Sequence, residues 1–126
     1  MKFLVIDDEF SCRAILRRYL KGCGQCDVAV DGLEMIEAFE TSLKADAPYD
    51  VLFLDIMMPQ LDGIEALNKI RQLEDFYSID ENQRVKVIMT SALNDEITIK
   101  RCKSFGIEGY IQKPFTRDDI LKFVND

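Results

Sequence analysis

The chain has 126 residues, of which 48% are hydrophobic and 31% are charged, and its formal net charge is −7. This balance is typical of one ordinary globular domain rather than of a disordered or membrane-embedded chain. The excess of 23 acidic over 16 basic residues argues against nucleic-acid binding, because release of counterions from phosphates requires a cluster of Lys and Arg.

The N-terminal segment begins with the apolar run Phe3–Ile6, which ends at Asp7-Asp8-Glu9. Such a run is too short for an export signal and far too short to cross a bilayer. We therefore expect a cytoplasmic protein with no membrane insertion.

Short apolar runs alternate along the chain with longer segments of helical period. The runs are rich in β-branched residues, which is typical of parallel strands covered on both faces, and they comprise residues 3–6, 28–30, 51–54, 85–89 and 110–111. Three helix start signals each place an acceptor at the N-cap and a carboxylate three residues later, at Asp31, Asp62 and Thr116. The polar segment 78–84 is predicted to be a long surface loop, and the last helix to run to Asp126.

Five strands alternating with five helices predict a three-layer α/β domain with a parallel sheet. The doubly wound, flavodoxin-like strand order 2-1-3-4-5 is the common arrangement for this number of strands. We expect residues 1–126 to form this single domain, with no output domain.

The cysteines are expected to be reduced thiols, because no export signal precedes them. Cys23 and Cys26 have the spacing of a redox or metal pair. The pair follows the predicted end of a helix at Lys21, however, where the helix dipole does not lower a thiol pKa. The sequence has no histidine and no second CxxC to complete a zinc site, so a structural role is favoured.

Polar side chains stand at the ends of four of the predicted strands. Asp7 and Asp8 follow the first strand, Asp55 the third, Thr90 the fourth and Lys113 the fifth. In a doubly wound sheet the carboxyl ends of the strands share one edge, and ligands bind where the strand order reverses. We therefore expect three carboxylates, a hydroxyl and an ammonium group to converge at that edge.

Three carboxylates in close proximity repel one another, and a hard dication relieves the repulsion. Mg²⁺ prefers one or two carboxylates together with water and phosphate oxygens. One carboxylate can then attack a phosphoryl group while an ammonium and a hydroxyl stabilise the transferring oxygens. Asp55 follows a central, rigid apolar strand and is the expected nucleophile.

The chain resembles the receiver domains of two-component response regulators, of the CheY-like single-domain type. Four segments carry the resemblance, in order: Val5-Ile6-Asp7-Asp8-Glu9, Leu54-Asp55-Ile56-Met57-Met58-Pro59 with Asp62-Gly63, Thr90-Ser91-Ala92, and Tyr110-Ile111-Gln112-Lys113-Pro114-Phe115. The resemblance implies that Asp7, Asp8, Asp55 and the backbone carbonyl of Met57 hold Mg²⁺. Otherwise the side chains of Met57 and Met58 are interpreted as packing residues.

The resemblance also implies a role for each remaining site residue. Asp55 would accept the phosphoryl group, and Thr90 and Lys113 would contact it. Tyr110 would change position on activation, and the Lys113–Pro114 peptide bond would be cis.

The expected function is that of a phosphoacceptor switch in a two-component phosphorelay. The phosphoryl donor would be a sensor histidine kinase, a phosphotransfer protein or a small phosphodonor, and the reader would be a downstream target protein. The protein would catalyse its own phosphorylation and dephosphorylation without being a turnover enzyme. Segment 93–105 carries both Ile97 and Ile99, and one helical face cannot easily bury both with Cys102, so an exposed apolar residue is a candidate contact for the target.

Two alternatives belong to other functional classes. A flavodoxin-type redox carrier requires a phosphate-cradling loop after the first strand, where this chain has carboxylates. An unphosphorylated interaction scaffold would keep the fold and lose the site, whereas the five polar residues at the strand ends are intact.

Overall fold

The computed structural model describes residues 1–92 and 95–124. Its strands form one parallel sheet in the order β2-β1-β3-β4-β5, which confirms the predicted fold class and strand order. The strands are β1 (Lys2–Ile6), β2 (Gln25–Ala29), β3 (Val51–Asp55), β4 (Lys86–Ser91) and β5 (Gly109–Gln112). The helices are α1 (Phe10–Leu20), α2 (Gly32–Lys44), α3 (Gly63–Phe76), α4 (Glu96–Lys103) and α5 (Arg117–Leu121).

Helices cover both faces of the sheet and give it two hydrophobic cores. Residues of α2, α3 and α4 pack on one face, and residues of α1 and α5 pack on the other. Successive β3 residues alternate between the two cores, and every residue of β3 is buried. Burial on both faces is why this strand is a continuous apolar run rather than an alternating one.

The predicted helix caps at Asp31, Asp62 and Thr116 are confirmed. Each side chain accepts a hydrogen bond from a backbone N–H three residues later. At Thr116 the reciprocal bond from its own N–H to Asp119 also forms, which completes a capping box. Asp95 caps α4 in the same way, a fourth cap that the sequence analysis did not include.

Several predicted boundaries were wrong. The second strand occupies Gln25–Ala29 rather than residues 28–30, because an edge strand is only partly buried and tolerates polar residues. Segment 78–84 is the predicted surface connection, and it contains a short 3₁₀ helix at Glu81–Gln83. The last helix ends at Leu121, whereas the sequence predicted an end at Asp126. Asp126 itself lies outside the described residues, and so does Leu93, the first residue of the predicted segment 93–105. That residues 1–126 are a single domain without an output domain stays a prediction.

All four cysteines are free thiols, as expected. Cys23 and Cys26 are half-buried and pack against the core beneath α1 and α5, so they contribute to the core at the edge strand. Within residues 1–92 and 95–124, no helix is long and apolar enough to cross a membrane.

Candidate functional site

The candidate site lies at the carboxyl edge of the sheet, where the chain leaves β1 and β3 on either side of the reversal in strand order. Asp7 follows β1 directly, and Asp55 is the last residue of β3. Thr90 lies in β4 in direct register with Asp55. Lys113 follows β5, and its backbone N–H donates to the Ser91 carbonyl at 2.7 Å. The sheet therefore brings together the predicted residues from four strands.

Three carboxylates form the acidic cluster of the site. One carboxylate oxygen from each of Asp7, Asp8 and Asp55 lies within 4.8 Å of the others. Asp7 and Asp55 are almost completely buried, with 0% and 2% exposure, whereas Asp8 is exposed. Two of the charges are thus shielded from bulk water and interact strongly, while the third faces the solvent.

Lys113 is the cation that contacts the cluster. Its Nζ donates to Asp7 Oδ2 at 2.8 Å and lies 3.5 Å from Asp55 Oδ1. Burial alone would lower the pKa of Lys113, but the hydrogen bond to Asp7 and the charges of Asp55 and Asp7 outweigh it and raise the pKa. Lys113 therefore stays protonated and links the first and third strands through its side chain.

The carboxyl group of Asp55 has a strongly raised pKa. Burial, followed by the charge of Asp7, raises the pKa of Asp55 to about 7, against the opposing effects of Lys113 and of the Met57 N–H. That N–H donates to Asp55 Oδ1 at 3.3 Å. Burial is the larger cause and the charge of Asp7 acts in the same direction, so the Lys113 ammonium group offsets only part of their combined effect on the Asp55 pKa.

The cluster suits a hard dication, because its donors are carboxylate oxygens and its charge is undercompensated. A bound Mg²⁺ would favour the ionised form of Asp55. Asp7 and Asp8 belong to the β1–α1 connection and Asp55 to the end of β3, so a cation held by all three would bridge the two strands. The backbone carbonyl of Met57, on the β3–α3 connection, is next to this cluster in sequence.

Gly63 brings α3 close to the end of β3. A Cβ at this position would clash with the Asp55 carbonyl and would lie 2.7 Å from Ile56 Cα. The Gly63 N–H also donates to the Ile56 carbonyl at 2.8 Å, and Asp62 caps the helix. In the Asp-Gly pair after β3, Gly63 is therefore explained by a close backbone approach and Asp62 by its role as the helix cap.

The two predicted switch residues lie on neighbouring strands but are not in register. Thr90 pairs with Ile111, and Tyr110 pairs with Met89. Burial raises the pKa of Tyr110, and a hydrogen bond with Ser91 opposes that effect. Tyr110 is half-buried against the α2–α4 core, so Ser91 is a polar neighbour of Tyr110 that the sequence analysis did not assign to the switch.

The remaining sequence predictions have mixed outcomes. Met58 is a packing residue at 8% exposure, but the interpretation of the Met57 side chain was wrong because it is 57% exposed beside the site. The Lys113–Pro114 peptide bond is cis, as the resemblance implied. On α4, Ile97 is the exposed apolar residue that the helical spacing predicted.

Arg13 makes a further contact with the site, which the sequence did not predict. Its Nη1 donates to the backbone carbonyl of Asp7 at 2.7 Å. Nothing in the sequence indicates this bond, because it depends on the path of the chain from β1 into α1.

Comparison with known proteins identifies the family. The family model described as the response regulator receiver domain matches residues 3–125. The chain belongs to this receiver family. Its carboxylates after β1 and its family membership also remove support for the flavodoxin-type alternative.

The similarity of this receiver to the chemotaxis protein CheY extends over nearly the whole chain. It is 33% identical to CheY of Treponema pallidum, covering 96% of this chain and 78% of that protein. A CheX–CheY–BeF3–Mg²⁺ complex from Borrelia burgdorferi contains a similar chain, with 31% identity, a TM-score of 0.81, and coverage of 97% of this chain and 84% of that one. The protein is thus a CheY-like receiver of two-component signalling.

Other relatives are much longer than this receiver. Hybrid signal transduction histidine kinase B of Dictyostelium discoideum is 32% identical over 95% of this chain, which spans only 6% of the length of that kinase. The receiver fold therefore occurs both in CheY and as a small part of large kinases.

Proposed function

We propose that this receiver accepts a phosphoryl group on Asp55, with Mg²⁺ held by Asp7, Asp8, Asp55 and the backbone carbonyl of Met57. The convergence of three carboxylates on the Lys113 ammonium group is the observation that carries the proposal. The Borrelia relative solved with BeF3 and Mg²⁺ supports the choice of cation.

The contacts of Asp55 indicate which of its oxygens attacks. Oδ1 accepts the Met57 N–H and lies 3.5 Å from Lys113 Nζ, so we assign in-line attack on the donor phosphorus to the other oxygen, Oδ2. The bond from phosphorus to the donor breaks as the bond to Oδ2 forms, and the product is an aspartyl phosphate. Mg²⁺, when bound, supplies positive charge that offsets repulsion between the carboxylates and the phosphoryl oxygens.

Lys113 and Thr90 act on the transferred group. The Lys113 ammonium group is already oriented toward Asp55 and offsets negative charge on a phosphoryl oxygen. Thr90 lies on β4, paired with Asp55 of β3, and its hydroxyl donates to another oxygen of the phosphoryl group. Thr90 is fixed by β4, and the Lys113 side chain is held by its contacts with Asp7 and Asp55, so little reorganisation is needed.

The donor is a sensor histidine kinase, a phosphotransfer protein or a small acyl phosphate, and the reader is a downstream target protein in the cytoplasm. The protein is a switch that catalyses its own phosphorylation and dephosphorylation, and it does not turn over a separate substrate. The scaffold alternative differs in one respect, because it requires that Asp55 is never modified.

Acetyl phosphate with Mg²⁺ tests the proposal directly. Intact mass should increase by one phosphoryl group in the wild type and in Asp80→Asn, which removes an exposed carboxylate far from the site. Asp55→Ala should show no increase. Equal labelling of Asp55→Ala would contradict the assignment, and an unlabelled wild type would favour the scaffold.

The output of the switch is proposed to run from Thr90 through Tyr110 to the surface of α4 and β5. Thr90→Ala should still accept the phosphoryl group but lose the conformational response. Amide NMR shifts upon phosphorylation should concentrate in residues 90–115 of the wild type, with exposed Ile97 as a candidate target contact. A Thr90→Ala variant that responds like the wild type would mean that another route carries the signal.

A further inference from the structure

Arg13 makes an unusual contact with the backbone between the two N-terminal carboxylates of the site. Its Nη1 donates at 2.7 Å to the carbonyl oxygen of Asp7, which belongs to the peptide group joining Asp7 to Asp8. We infer that Arg13 is a positioning residue that orients this peptide so that Asp8 faces the cation. The inference rests on the proposed function, since it concerns the same Mg²⁺ site.

The geometry of the β1–α1 connection explains why Asp8 needs such a contact. The last strand residue is Ile6, so the Asp7 carbonyl lies beyond the sheet ladder. The Asp7 side chain is held at both oxygens, by the Glu9 N–H at 2.9 Å and by Lys113 at 2.8 Å. The Asp8 side chain is exposed, so packing does not fix it and its direction follows from the preceding peptide plane.

Arg13 is itself held in place. Its backbone N–H donates to the Glu9 carbonyl at 3.2 Å, and its guanidinium carbon lies 5.8 Å from the centre of the Phe10 ring. Phe10 is 76% exposed, so this cation–π contact lies at the solvent-facing rim of the site. At such an exposed position it restricts the Arg13 side chain by a small amount.

A positioning role and a purely electrostatic role of Arg13 predict opposite changes in Mg²⁺ affinity when Arg13 is replaced. A guanidinium group near the site repels Mg²⁺, so a charge effect alone means that removing it tightens Mg²⁺ binding. If Arg13 orients the peptide between Asp7 and Asp8, its removal lets that peptide plane rotate and weakens Mg²⁺ binding. The direction of the change in affinity therefore distinguishes the two roles.

Direct Mg²⁺ binding by isothermal titration calorimetry, without any phosphodonor, tests this inference. The dissociation constant of Arg13→Gln should rise about tenfold or more, the effect of losing one hydrogen bond from a charged donor. Arg13→Lys keeps the charge and a donor and should recover part of the affinity. Arg17→Gln, which removes an exposed charge one turn further along α1, is the matched control and should bind as tightly as the wild type or slightly more tightly.

A second measurement separates positioning from a general effect on stability. In the metal-free protein, the NMR order parameter of the Asp8 amide should fall in Arg13→Gln and stay unchanged in Arg17→Gln. Phe10→Ala keeps the Arg13 donor, removes its stacking partner, and should weaken Mg²⁺ binding about twofold. This variant also provides a test should Arg13→Gln fail to fold.

Equal or tighter Mg²⁺ binding by Arg13→Gln, or by Phe10→Ala if Arg13→Gln does not fold, would overturn the inference and leave the proposed function intact. A wild type that binds no Mg²⁺ would overturn both, and the two failures are thereby distinguishable.

Discussion

Replacing Asp55 with Asn should stabilise the metal-free protein, and the gain should grow as the pH rises. In the folded state, burial and the charge of Asp7 raise the pKa of Asp55 to about 7 from its ordinary value of 3.8. The folded protein therefore binds this proton more tightly than the unfolded chain does. The stability gained from protonation is fully present below about pH 4 and is lost as the pH rises through 7.

The size of this change in unfolding free energy follows from the difference between the folded and unfolded pKa values of Asp55. One pKa unit corresponds to about 1.4 kcal/mol, so between pH 5 and pH 8 the wild type should lose about 2 to 3 kcal/mol relative to Asp55→Asn. The attraction between ionised Asp55 and Lys113 lowers the pKa of Asp55 and is already contained in the value of about 7. It therefore adds no separate contribution to the pH dependence.

Urea denaturation in EDTA at several pH values between 5 and 8 measures the effect. The difference in unfolding free energy between Asp55→Asn and the wild type should increase steadily with pH in EDTA. In a second series with saturating Mg²⁺ and no EDTA, the increase should be smaller. Asp80→Asn, which removes an exposed carboxylate, is the control and should show no comparable trend. A difference between Asp55→Asn and the wild type that is independent of pH would refute the argument that Asp55 is buried with uncompensated charge.

Millimolar Mg²⁺ should raise the melting temperature of the wild type by mass action, and Asp8→Asn should abolish the increase. Because Asp8 is exposed, Asp8→Asn should stabilise the metal-free protein less than Asp55→Asn does, as thermal denaturation would show. Glu74 is 1% exposed and accepts the Val85 N–H at 2.8 Å, so Glu74→Leu should cost about 3 kcal/mol of unfolding free energy and Glu74→Gln distinctly less. Gly63→Ala should cost about 2 kcal/mol or more and should weaken Mg²⁺ binding, since the added methyl group clashes with the end of β3.

The sheet and most of the site could be predicted because central parallel strands are apolar on both faces. Such runs are conspicuous in sequence, and each is followed by the polar residue that the fold places at the shared edge. Asp7 and Asp55 were brought together by this rule, and Lys113 by the short apolar run of the edge strand β5. Residues such as Asp62 were found because a cap and its helix are neighbours in sequence.

Other features depend on contacts between distant segments or on a loop path. β2 lies at the edge of the sheet and includes Gln25 and Asp27, so its apolar pattern is weak. The burial of Glu74 requires Arg71 on the same helix and Val85 on another segment. The outward direction of the Met57 side chain and the contact of Arg13 with Asp7 are set by the two loops at the site.

The bond between Lys113 and Asp7 joins residues 106 positions apart. During synthesis from the N-terminus, all three carboxylates of the cluster are made before the lysine that offsets them. A nascent chain that lacks β5 therefore brings Asp7, Asp8 and Asp55 together only against their mutual repulsion. Arrival of Lys113 after the last strand removes part of that repulsion, so assembly of the sheet and completion of the acidic cluster are coupled to the same late event.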